Sequence, residues 1–260
     1  AQGTPAIFLA TYLQPQMSFG MPMPMPGRYM LGDYLRETWG LDVKTGLRVV
    51  QGAPDPANPG KVEIPLPRWS WLPLSTFTDH PLVEPLQARR MMWLNACPVV
   101  RTGGEEGENA ETQPAAKADV TDLLVVPRSL ADTTWADAEP MDLVFGRGRG
   151  IAPAGDEDDM AAPFPLAVLA ARADGDDSRR IVVLGMGMSF MDAYLNSEVP
   201  KLTGEGVLVQ TDPPTGNTDL VVNSAYFLLD KQEFIGAGPA TVEPIGLISP
   251  TTLAILKIVF

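Results

Sequence analysis

Apolar positions recur along this chain in short runs separated by turn formers, and no run extends far enough for a long helix or a membrane span. Residues 5–13 form a compact apolar run bounded by proline and glutamine, the pattern of a buried strand. From Tyr29 to Trp39 the apolar residues Met30, Leu31, Tyr34, Leu35 and Trp39 fall at helical spacing, with Gly40 as the stop. Strands are predicted at 47–50, 90–96 and 120–126, and a turn at Asp79-His80-Pro81 leading into a short helix. A turn followed by a helical stub is predicted around Trp135. The clearest unit is an antiparallel hairpin near 165–184, whose strands flank Asp174-Gly175-Asp176-Asp177, with glycine free to take positive φ. Helices are predicted at 189–195 and 220–229, the latter opened by Gly216-Asn217-Thr218-Asp219.

Strands and helices alternate in this reading. It therefore predicts one α/β domain over residues 1–260, with a mainly parallel sheet flanked by helices and the 165–184 hairpin as its antiparallel exception. Flexible loops are expected near 14–28, 52–78, 102–118 and 146–162, where proline, glycine or acidic residues crowd out large apolar ones.

Charge narrows the partners. The chain holds 19 basic and 32 acidic residues, a net charge of −13. Such a surface repels nucleic-acid phosphates and anionic headgroups, so nucleic acid is not an expected partner. The single cysteine, Cys97, cannot form an internal disulfide. No stretch reaches the ~18 apolar residues that a membrane helix needs, and no basic region followed by an apolar one opens the chain as a leader would.

Four segments resemble, in order, the extracytoplasmic domain of ABC-transport auxiliary proteins of the gliding-motility-associated type. They are Tyr34 to Val43 with the strand at 47–50; Asp79-His80-Pro81-Leu82-Val83; Leu123 to Ser129 followed by Trp135; and the strand at 181–184 with Phe190, Gly216 to Asp219 and Val222 to Leu229. The resemblance implies a class I glutamine-amidotransferase-like or flavodoxin-like α/β fold without catalytic residues. It implies an ABC permease or ATPase as partner, and an extracytoplasmic, membrane-anchored location. Attachment would come through sequence outside this chain, with Ser249 to Phe260 as the lead-in to a membrane helix.

Two alternatives stay open. Cys97 and His80 are the nucleophile and base that an amidotransferase-like hydrolase would need. Ser189, in Gly187-Met188-Ser189, superficially matches a nucleophile elbow, but it lacks the closing glycine and a downstream histidine, so a helix N-cap is the expected role. The second alternative is a small-ligand or copper-binding module, because Met17, Met21, Met23, Met25 and Met30 cluster in a Met-Pro stretch and thioethers select Cu(I). Gly146 to Gly150 and Gly185-Met186-Gly187 lack the remaining residues of a phosphate or dinucleotide loop. Asp156 to Asp159 and Asp174 to Asp177 lack calcium-loop order and read as solvated turns. No catalytic residue, metal or cofactor is assigned. The expected role is partner contact, through a patch of Met17, Phe19, Met21, Met23, Met25, Trp69 and Trp71, since methionine-rich surfaces repack against varied partners.

Overall fold

The computed structural model describes residues 4–13, 16–18, 21–23, 30–64, 70–102, 118–138, 150–174, 177–196, 199–202, 208–211 and 213–236. Along the chain run β1 (Ala6–Leu9), β2 (Gln16–Ser18), β3 (Met21–Met23), α1 (Met30–Trp39), β4 (Leu41–Val43), β5 (Arg48–Gln51), β6 (Ala53–Pro54), β7 (Val62–Glu63) and β8 (Ser70–Trp71). Then come β9 (Met92–Trp93), β10 (Val99–Arg101), β11 (Asp119–Val126), β12 (Thr134–Asp137), β13 (Met160–Ala161), β14 (Phe164–Asp174) and β15 (Asp177–Leu184). The last elements are α2 (Asp192–Leu195), β16 (Val199–Leu202), β17 (Leu208–Thr211) and α3 (Thr215–Leu228). Single turns of 3-10 helix include Glu84–Ala88 and Gly187–Phe190.

The central sheet has the order β1-β15-β14-β11. β14 and β15 form the expected hairpin, closed by the pair Asp174/Asp177. Successive side chains of a strand point to opposite faces, and here both faces are covered. Val182 and Leu184 join a large cluster with Phe164, Leu82, Leu86, Met91, Trp93 and, from α3, Leu220 and Leu228. Ile181 and Val183 join a second cluster with Val168, Leu41, Val99 and, from α1, Leu35 and Trp39. A third, smaller cluster holds Trp135, Val50 and Val62.

The expected mainly parallel sheet flanked by helices is not what forms, and the amidotransferase-like or flavodoxin-like class falls with it. Among the described residues only β1 and β15 pair in parallel. β14 and β11 run antiparallel, and the remaining sheets are small antiparallel ones. A parallel pair needs a long crossover, usually a helix, and the segments expected to supply one do not. The stub around Trp135 is β12, paired with β5 and β13, with Trp135 fully buried. Thr and Trp suit a pleated, buried surface better than an isolated helical turn. The 189–195 helix shrinks to a 3-10 turn and the single turn of α2. The 52–78 excursion carries β6, β7 and β8, and 146–162 carries β13 and a bridge from Ile151 to Val62. The 102–118 loop lies almost wholly outside the described residues.

Residues 90–98 run into the interior from an exposed Arg90, and only β9 belongs to a ladder, opposite β8. Buried backbone groups must still find partners, and this segment finds them in many places. Asn217 Oδ1 accepts the Met92 N–H and Asn217 Nδ2 donates to the Met92 carbonyl, both at 2.9 Å, so one amide side chain acts as a missing neighbouring strand. Ser189 Oγ accepts the Leu94 N–H at 2.8 Å. Gly216 N–H donates to Arg90, Val49 N–H to Ala96, Tyr12 N–H to Asn95, and Cys97 N–H donates to Gly185. The glycines are there for close approach. A Cβ at Gly185 would collide with the Cys97 carbonyl, one at Gly187 with the Ala10 carbonyl, and one at Gly216 with Met91 and the Arg90 carbonyl.

Candidate functional site

Two of the residues that look reactive in the sequence, Cys97 and Ser189, belong to or bond with this interior segment. Cys97 is fully buried, and desolvation pushes its thiol far up from the ordinary range. A thiol without exposed surface and without thiolate character is not a nucleophile. His80 is half-buried, with its Nδ1 accepting the Leu82 N–H at 3.2 Å and its ring 5.1 Å from that of Phe227. Burial lowers its pKa. The Asp79–Val83 turn into a short helix is as expected, with the Val83 and Glu84 N–H groups donating to the His80 carbonyl. Ser189 is not the N-cap the sequence suggests. It lies inside the 3-10 turn, fully buried, and holds Leu94. The Gly216-Asn217 stretch does not precede the last helix but forms its first turn, since α3 begins at Thr215.

The acidic runs are structural where described. Asp159 Oδ1 accepts the Ala138 N–H and its Oδ2 the Asp156 N–H, which closes a turn. No group of three potential metal-binding side chains converges among the described residues. No helix among them is long and apolar enough to cross a membrane.

Of the expected contact patch, Met17 lies in β2 opposite Pro22, and Met21 and Met23 lie in β3 opposite Ser18 and Gln16. One hairpin therefore gathers these three. Trp71 lies in β8, opposite Met92, in a separate ladder. Phe19, Met25 and Trp69 lie outside the described residues.

An open apolar groove forms where β1 ends, beside α1, next to where the Met-Pro hairpin leaves the chain. Its volume is about 380 Å³. One wall is the end of β1 and the segment that follows it, with Leu9, Thr11 and Leu13 in the lining. That wall is rigid, because Ala10 N–H donates to Leu184, Thr11 Oγ1 to the Asn95 carbonyl and Leu13 N–H to Thr45. The other wall is α1. Its Leu35 and Trp39 point into the core one turn apart, and Leu31 continues the same face at the start of the helix, where the core no longer covers it. Leu9 and Leu31, both in the groove lining, are 47% and 38% exposed, unusual for large apolar residues sharing one concavity.

Gly32 lines the groove inside α1, and a Cβ placed there meets nothing within 4 Å among the described residues. Glycine in a helix is costly relative to alanine by about 0.5–1 kcal/mol. Neither its packing nor its backbone requires it, and what it leaves behind is space. At the rim Arg36 lies 2.8 Å from Asp42 and 3.4 Å from Asp33, and Lys44 lies 2.7 Å from Asp42. Burial works to raise the Asp42 pKa, but hydrogen bonds from Lys44 and Arg36 outweigh it and the pKa falls below its ordinary value.

Sequence reasoning did not single out Leu9, Leu31, Gly32 or Asp33. The available signals were a glycine inside a helical pattern and an apolar position, Leu31, at the N-terminal end of the helix's buried stripe. Compared with family models, with curated proteins and with solved structures, the chain matches none.

Proposed function

We propose that this domain is a non-catalytic interaction module whose groove between β1 and α1 receives an apolar segment of a protein partner. The observation that carries the reading is the exposed pair Leu9 and Leu31 lining a groove held open by Gly32. Exposed apolar residues gathered around a concavity are the usual mark of a recognition site. Of the groups that bond-making chemistry would use, Ser189 Oγ and His80 Nδ1 accept backbone N–H groups, and the Cys97 thiol is sealed in the core.

The partner proposed from the order of sequence segments is an ABC permease or ATPase on the outer face of a membrane. That part rests on the segment resemblance and not on the fold. The test is capture from native membranes with the wild-type chain and with Gly32→Leu, which extends a side chain into the groove from a position where a Cβ meets nothing within 4 Å among the described residues. Recovery of a permease or its ATPase with wild type and its loss with Gly32→Leu supports the reading. Recovery that Gly32→Leu leaves unchanged, or recovery of neither subunit, overturns it.

A further inference from the structure

Resting on the groove reading, we infer that the segment it receives is basic: an apolar side chain seated between Leu9 and Leu31, with a lysine or arginine beside it facing Asp33. The charges at the rim carry this. Arg36 and Lys44 both converge on Asp42, at 2.8 and 2.7 Å. Asp33 lies at the groove lining, its side chain 60% exposed, and its Arg36 contact of 3.4 Å is the longer of the two that Arg36 makes. Glu37 is exposed one turn further along α1, and carboxylates four residues apart on a helix repel. The groove therefore presents an apolar floor with an under-compensated negative edge, on a chain of net charge −13. A cationic segment relieves the edge and is steered by the overall field, whereas an acidic segment of the same apolar content meets repulsion from both.

Short peptides serve as probes: acetyl-Lys-Leu-Leu-Lys-amide, its Glu-Leu-Leu-Glu counterpart and a neutral Gln-Leu-Leu-Gln version. Binding is followed by NMR through the methyl shifts of Leu9 and Leu31. The cationic peptide is expected to bind at least tenfold tighter than the acidic one. Asp33→Asn is expected to reduce that ratio at least threefold, and Asp33→Lys to reverse the preference. Glu84→Gln removes the same charge from the 3-10 turn that packs on the other face of the central sheet, and is expected to leave the ratio nearly unchanged. Equal affinity for all three peptides, abolished by Gly32→Leu, overturns the basic-segment inference while leaving the groove reading intact. A ratio that Glu84→Gln lowers as much as Asp33→Asn also overturns it, because the preference is then bulk charge. No binding by any peptide, or binding that Gly32→Leu does not touch, overturns both.

Discussion

Replacing Asn217 by alanine should be among the most damaging single changes in this protein, although Asn217 lies on no surface and carries no charge. Its side chain is fully buried and makes two hydrogen bonds of 2.9 Å to the two polar groups of one peptide unit, the N–H and C=O of Met92. Met92 is itself buried, so water cannot replace the lost partners. A buried backbone group left without a partner costs about 1–3 kcal/mol, and two of them give a loss of about 2–6 kcal/mol. Native domains have only about 5–15 kcal/mol in hand. With an m-value of about 3 kcal/mol per molar in urea, the midpoint should drop by about 0.7–2 M at unchanged m. Asn217→Asp adds a diagnostic. One oxygen still accepts the Met92 N–H, but the other faces the Met92 carbonyl, so the buried carboxyl is favoured protonated and its folded pKa is raised above the unfolded ~3.9. The folded state then binds more protons than the unfolded one, and stability rises as pH falls through that raised pKa toward the unfolded value. Urea melts of wild type, Asn217→Ala and Asn217→Asp from pH 8 down to pH 5 measure both effects. Midpoints within about 0.2 M of wild type for both variants (about 0.6 kcal/mol at that m-value) would refute the idea that this amide replaces a strand.

Three further outcomes follow from the same contacts. His80 has a pKa lowered by burial and uses Nδ1 as an acceptor, so its contribution is complete above the unfolded value of ~6.5 and is lost as pH falls through the lower folded pKa; His80→Gln should flatten the decline in urea midpoint that wild type shows from pH 7.5 to 5. Gly→Ala should have opposite signs at two positions. Gly185→Ala drives a Cβ into the Cys97 carbonyl and should lower the melting temperature steeply, whereas Gly32→Ala should leave it unchanged or raise stability by up to ~1 kcal/mol. Cys97 should react with a thiol reagent in excess only as fast as the protein opens, and Ser189→Ala, by orphaning the Leu94 N–H, should speed that labelling; fast labelling of the native wild type would contradict the buried, protonated thiol.

What could be read in the sequence was what is set locally. The strand at 6–9, α1 with its stop at Gly40 (φ +65°), the strand at 48–51, the His80 turn and the β14–β15 hairpin each carry their own pattern and turn chemistry within a dozen or so residues. Strand direction was not legible, because a buried run such as Arg180 to Leu184 has the same composition whether its neighbour is parallel β1 or antiparallel β14. The Trp135 segment is four residues long, too short for a period to show, and what makes it a strand is the pairing with β5, more than eighty residues earlier. The roles of Asn217 and Ser189 depend on partners 125 and 95 residues away. The groove was invisible for a similar reason: its walls come from the end of β1, from α1 and from the turn after β4, and no one stretch announces it.

The motifs that suggested chemistry have a common physical origin in the interior segment 90–98. A backbone stretch that is buried but mostly outside a ladder needs polar side chains to satisfy its N–H and C=O groups, and glycines where a second backbone must come close. Serine, asparagine and glycine near strand ends are also what nucleophile elbows and phosphate loops require, so the two demands write similar sequences. They differ in direction. At a catalytic turn the hydroxyl is exposed at the rim of a cleft, whereas here the Ser189 hydroxyl accepts a buried N–H, and the Gly185-Met186-Gly187 amides and carbonyls close on Leu166, Ala10 and Cys97. That separation has a practical consequence. Substitutions along 90–98 and at its partners should be read out as stability, while the groove beside α1, where Gly32 meets open space, is the place where a substitution can change recognition without first disturbing the fold.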